Sequence, residues 1–184
     1  MAPIRKGEKK VLLVVDVQIG VMQDLWESQR IIKNINTAVE KARAHGVPVV
    51  WVQHGHDEKD FESLEGQIVP DLVPAPDEMR IFKHFNSSFE ETPLEETLDR
   101  LGVAHIILAG AATNWCIRAT AHAALERGYD LTLIKDAHTT EPMEGEDGDE
   151  IAAEDIVQEL NIIMDWLRYP GRKNSSVAVT DLEF

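Results

Sequence analysis

Three residues of unlike chemistry close three hydrophobic runs in this chain. Asp16 follows Val11-Leu12-Leu13-Val14-Val15, and Lys83 follows Met79-Arg80-Ile81-Phe82. Cys116, the only cysteine, comes after Ile106-Ile107-Leu108-Ala109 by way of Gly110-Ala111-Ala112-Thr113-Asn114-Trp115. An acid beside a thiol can accept its proton, and a cation beside both offsets the negative charge the pair would gather. The thiolate so formed attacks acyl carbon. Each residue also has a plainer reading: Asp as the start of a turn, Lys as a snorkelling surface charge, Cys as a small buried hydrophobe. The shared position at the ends of strand-like runs favours chemistry, because all carboxyl ends of a parallel sheet open on one edge.

Around Cys116 the pattern reads as a buried strand breaking at small residues into a helix, with Thr113 or Asn114 as its cap. Cys116 is then expected in the first helical turn. Free N–H groups and the helix dipole there would stabilise a thiolate and hold a developing oxyanion. A single cysteine excludes an internal disulfide and a multi-cysteine metal site, and points to a reducing, cytoplasmic setting.

The 184 residues, 43% of them hydrophobic, suffice for one core, and no linker divides them, so residues 1–184 are expected to form one domain. The basic start Met1 to Lys10 leads into an apolar run too short for a signal peptide or a membrane span. A net charge of -15 would repel nucleic acid and an anionic membrane, which leaves a small molecule as the natural partner. Part of that charge lies in residues 141–155, which read as a solvated loop running into an acidic first helical turn, or as a mobile flap beside an active site. Their spacing does not fit a calcium loop.

Strand-like and helical segments alternate. Strands are predicted at Val11–Asp16, Val47–Gln53, Met79–Lys83, Ala104–Ala109, Asp130–Lys135 and Ser176–Thr180. Helices are predicted at Ser28–His45, at a run opened by a Thr92-Pro93-Leu94-Glu95 capping box and closed at Gly102, at Thr113–Arg127 and at Glu150–Arg168. A short helical turn is expected near Ser63–Ile68. The alternation implies an α/β fold in three layers, α/β/α, with a mostly parallel six-stranded sheet and helices on both faces.

The ordered motifs Val15-Asp16-Val17-Gln18, Lys83-His84-Phe85-Asn86-Ser87-Ser88-Phe89, Gly110-Ala111-Ala112-Thr113-Asn114-Trp115-Cys116-Ile117-Arg118-Ala119-Thr120, Gly128-Tyr129 and Asp136-Ala137-His138-Thr139-Thr140 resemble those of the isochorismatase-like cysteine hydrolases. That family includes nicotinamidases and N-carbamoylsarcosine amidohydrolases. The resemblance implies an Asp–Lys–Cys triad, here Asp16, Lys83 and Cys116, and an oxyanion hole from the Ala112 and Cys116 N–H groups. It also implies a non-proline cis peptide between Ala111 and Ala112. Members that cleave the vinyl ether of isochorismate lack the cysteine, so its presence implies hydrolysis of a C–N bond in an amide, carbamoyl, ureido or lactam group. No cofactor is implied.

His54-Gly55-His56 falls where nicotinamidases carry an Asp-x-His metal motif, with His54 in place of the aspartate. His54 and His56 are therefore weak metal candidates, and the expectation is no metal. Gln18, Phe89, Trp115 and His138 are expected to wall the substrate pocket, although Trp115 could equally be core and His138 a loop cap. A homo-oligomer, dimer or tetramer, is the family default. Two other functions fit the same fold: a metal-using nicotinamidase, and an inactive small-molecule-binding or scaffold protein.

Overall fold

The computed structural model describes residues 4–184. In chain order the elements are β1 (Lys9–Val15), α1 (Ile19–Met22), α2 (Ser28–Ala44), β2 (Val49–His54), α3 (Glu58–Glu62), β3 (Met79–Lys83), α4 (Leu94–Leu101) and β4 (Val103–Ala111). A π turn (Thr113–Ile117), α5 (Arg118–Glu126), β5 (Asp130–Thr139), β6 (Met143–Glu144), β7 (Glu150–Ile151), α6 (Ala153–Trp166) and β8 (Asn174–Val177) come next. The six main strands form one sheet in the order β3-β2-β1-β4-β5-β8, and every adjacent pair is parallel.

That order reverses direction at β1, which pairs with β2 on one side and β4 on the other. Connections leave the two strands toward opposite faces, so a crevice opens beyond their carboxyl ends, which is where open α/β sheets take ligands. Alternation along β1 supplies both faces of the core. Val11, Leu13 and Val15 pack with α4, α5 and α6, while Leu12 and Val14 pack with α2 and the C-terminal Val179 and Leu182. Helix α2 buries Ile31, Ile32, Ile35, Ala38, Val39 and Ala42 as one stripe, and ends where Gly46 turns left-handed at φ +67°.

Several expected boundaries move. The short helix lies at Glu58–Glu62 rather than Ser63–Ile68, and its capping box is built by Asp57 and Asp60. Helix α4 has no such box: Pro93 is its N-cap, and the Thr92 hydroxyl accepts from Leu94 N while donating to Ser88 O. Strand β5 runs on to Thr139 through the polar pair Lys135-Asp136. Between the pairings Leu108↔Leu133 and Gly110↔His138, β4 advances two residues and β5 five. This bulge carries His138 level with the end of β4. The acidic segment is not a simple loop, because β6 and β7 pair as an antiparallel hairpin before α6.

Candidate active site

The carboxyl ends of four strands open on one patch. Asp16 follows β1, His54 ends β2, Lys83 ends β3, and Cys116 lies in the π turn beyond β4. The Lys83 ammonium stands at the centre, its Nζ 2.7 Å from Asp16 Oδ2, 2.9 Å from His54 Nδ1, 3.1 Å from Phe85 O and 3.2 Å from Cys116 Sγ. The Lys83 and Asp16 side chains are 0% and 2% exposed, so this charge pair works in a medium far less screening than water. Asn86 Oδ1 lies 4.0 Å from the sulfur.

Backbone geometry fixes these positions. Asp16 still donates its N–H to Val52 O at 2.8 Å, yet its φ of +54° turns the chain out of the sheet at that residue. A left-handed conformation suits Asp or Asn better than other side chains. Beside it, Gly110 has φ +127° and pairs with Val15, and a Cβ there would sit 1.9 Å from Val15 O. Only glycine lets β4 approach β1 this closely.

The Ala111–Ala112 peptide is cis. Beyond it the expected α-helical turn is wider, because Ala112 O accepts from Trp115 N and from Ile117 N, both at 3.1 Å. An α-turn would have used the Cys116 N–H for that oxygen; the π register passes over it. Thr113 and Asn114 are not caps here. Thr113 Oγ1 bonds His138 Nδ1 at 2.8 Å, and Asn114 accepts from Thr140 Oγ1 at 2.6 Å.

The charges differ from the sequence expectation in one respect. Burial raises the Asp16 pKa, opposed by Lys83, and burial together with the Asp16 charge pushes Cys116 up to about 12. Burial and a neighbouring carboxylate thus favour the thiol over a preformed thiolate, against the pull of Lys83 and the start of a short helix. The same burial makes Asp16 a stronger base, better matched to a thiol.

Asp16, His54 and Cys116 place ligand atoms within 4.8 Å of one another, but Lys83 Nζ already lies among them, so this cluster does not suit a metal. His54 turns Nδ1 to Lys83, and its ring meets that of His56 edge-on with centroids 5.7 Å apart.

Three of the four expected pocket residues have other tasks. Both atoms of the Gln18 amide are engaged, Nε2 donating to His54 O at 2.9 Å and Oε1 accepting from His54 N at 2.8 Å. Phe89 is buried and stacks on Tyr129 with centroids 6.0 Å apart. His138 is fully buried, with Thr113 on Nδ1 and Asn161 Oδ1 on Nε2 at 3.0 Å, so it braces the π turn against α6. Trp115 differs: it precedes Cys116 in the chain and is 49% exposed, so it is not part of the core. Sequence reasoning missed His54 as a partner of Lys83, and Asn86, although both lie in motifs that it singled out. A cavity of about 890 Å³ lined by Lys9, Lys10, Val103, Asp130 and Lys173 opens at the amino ends of the strands, away from this chemistry.

Burial lowers the His138 pKa from 6.5 to about 4, so the unfolded chain takes up this proton before the folded one does. Its contribution to stability is present above pH 6.5 and is lost as pH falls toward 4, in all about 3 kcal/mol. Denaturant titrations at pH 7 and 4.5 are expected to show a smaller acid loss for His138→Gln than for the parent. An equal loss would assign the acid sensitivity to other groups.

The Isochorismatase domain family matches residues 10–166. Isochorismatase family protein YrdC of Bacillus subtilis (strain 168) is 33% identical over 137 residues, which cover 71% of this chain and 73% of YrdC. Ureidoacrylate amidohydrolase RutB of Enterobacter sp. (strain 638) is 28% identical over 172 residues, covering 71% of this chain and 75% of RutB. Among solved structures, an isochorismatase from Pseudomonas putida KT2440 superposes with a TM-score of 0.85 at 27% identity, over 100% of this chain and 94% of its own. N-carbamoylsarcosine amidase from Thermoplasma acidophilum shares the fold, with a TM-score of 0.72 at 20% identity over 96% of this chain and 100% of its own. No helix among the described residues is long and apolar enough to cross a membrane.

Proposed function

This chain belongs to the isochorismatase family, and from that premise we propose that it hydrolyses a C–N bond of a small molecule through a thioester on Cys116. The observation that carries the reading is the single ammonium of Lys83, 2.7 Å from an acid and 3.2 Å from a thiol in a buried patch. Relatives named for amidohydrolase and amidase activity support the C–N bond as the target.

Each step uses a group already in place. Asp16 takes the thiol proton as Sγ attacks the carbonyl carbon, and Lys83 stabilises the thiolate during the transfer. The N–H groups of Ala112 and Cys116 hold the tetrahedral oxygen, the latter passed over when Ile117 N rather than Cys116 N bonds Ala112 O. Asp16 returns the proton to the leaving nitrogen, the C–N bond breaks, and ammonia or an amine departs from the thioester. Asp16 then takes a proton from water, whose oxygen attacks the acyl carbon and releases the carboxylic acid. The sulfur recovers its proton from Asp16. Trp115 offers a flat apolar surface beside the reacting carbon.

The test is a panel of primary amides, carbamoyl compounds, ureides and lactams, scored by ammonia release or ring opening, with hydroxylamine added to capture an acyl thioester as the hydroxamate. Turnover that survives in Cys116→Ala would sink the proposal. A second variant isolates the base. Asp16→Asn keeps a side chain that tolerates φ +54° but cannot accept the proton. It is expected to lose about 10²- to 10⁴-fold in kcat. It should also lose about 3 kcal/mol in denaturant titration, because the buried Lys83 is deprived of its counter-charge.

A further inference from the structure

Lys83 has three N–H bonds and four acceptors within 3.2 Å. Two of these, His54 Nδ1 and Phe85 O, take no part in the chemistry proposed above. With two of the three protons given to them, the third is left to be shared between Asp16 and Cys116 Sγ. Because a lysine side chain ends in a freely rotating group, something has to choose which direction that third proton faces.

We infer that His54 is a positioning residue that acts through Lys83, its Nδ1 fixing the rotation of the ammonium so that one N–H addresses the acid and thiol together. The backbone prepares it for this. The Gln18 amide grips both the N–H and the C=O of His54, at 2.8 and 2.9 Å, tying the end of β2 to the loop after β1. A nitrogen that accepts from an ammonium must be the unprotonated one, so the His54 proton sits on Nε2. Burial, Lys83 and the neighbouring His56 and His84 lower the His54 pKa to about 4 against the opposing pull of Asp60, so the ring stays neutral. Asp16 and Cys116 complete the set of titratable groups around it.

This inference rests on Lys83 being the partner of Cys116, and its test separates the two claims without a known substrate. The readout is the rate of Cys116 alkylation by iodoacetamide from pH 6 to 10 in the intact protein, with native folding verified by near-UV circular dichroism. Lys83→Ala is the reference and should slow alkylation at neutral pH at least tenfold. His54→Ala is expected to shift the profile in the same direction by at least half of that effect on a logarithmic scale. His54→Asn, whose Oδ1 can stand where Nδ1 stood, should return within about threefold of the parent, while His54→Gln, whose amide oxygen lies one bond further out, should resemble His54→Ala. A Lys83→Ala profile equal to the parent's overturns the triad reading itself. If Lys83→Ala is slowed while His54→Ala matches the parent, or if Asn and Gln behave alike at position 54, the role of His54 fails and the triad stands.

Discussion

Cys116→Ala is expected to abolish turnover, a fall of about 10⁴- to 10⁶-fold in kcat, while the fold survives. Removal of the nucleophile of a cooperating set costs about as much as removal of the whole set, since no thioester can form without it. Only binding and the contribution of the two backbone donors then survive. The structural cost is small, because the side chain removed is one sulfur atom at the edge of the core, worth about 1 kcal/mol. Burst-phase mass spectrometry checks the prediction: the parent should gain the mass of the acyl group on rapid quenching, and the variant should not. An acyl adduct on the alanine variant would move the nucleophile elsewhere.

Gly110→Ala is expected to be among the most damaging changes of a single methyl group in the chain. Its Cβ would lie 1.9 Å from Val15 O and 2.7 Å from Val15 N, and those are backbone atoms in the centre of the sheet. The φ of +127° adds strain of its own, since side-chain-bearing residues rarely adopt it. Overpacking of an ordinary core costs about 1 to 3 kcal/mol, but here no side chain can yield. The loss should exceed about 4 kcal/mol, enough to unfold a domain of ordinary stability. Recovery in the soluble fraction and the denaturant midpoint measure it. Gly46→Ala is the contrast: φ is also positive at +67°, but the added methyl meets nothing within 4 Å. Only the modest backbone cost should appear there, and equal losses at the two sites would refute the steric argument.

The inner strands β1, β2 and β4 were legible because they are nearly continuous apolar runs buried on both faces, whereas the edge strands β3 and β8 are only partly buried. Met79–Lys83 has the expected bounds, and the other main strands shift by a few residues, β5 because the polar pair Lys135-Asp136 continues the strand. Helix α2 was legible from its spacing alone. The meeting of Asp16, Lys83 and Cys116 came from the parallel order, which carries all three strand ends to one edge.

The features that escaped such a reading depend on atoms rather than patterns. The raised Cys116 pKa comes from burial beside Asp16, and no sequence signal reports how deep a turn lies. His138 looked like a loop residue because the bulge that carries it inward has no apolar signature. Gln18 and Phe89 stand in the motifs that carry the family resemblance, yet one grips the backbone of His54 and the other fills core. Both assignments come from hydrogen-bond partners and packing neighbours far away in the chain.

The widened turn at Thr113–Ile117 has a consequence for how this loop can change. An i to i+5 closure contains one residue more than an α-turn, and each helical residue rotates the rest of its helix by about 100°. Deletion of that residue would bring the Cys116 amide back into the ordinary helical ladder. It would also swing Ala121, Ala124 and Leu125, all fully buried against the sheet, around the axis of α5. Angular phase thus couples the amide at the sulfur to the seating of the helix behind it, so neither can drift by single-residue insertion or deletion without dislodging the other.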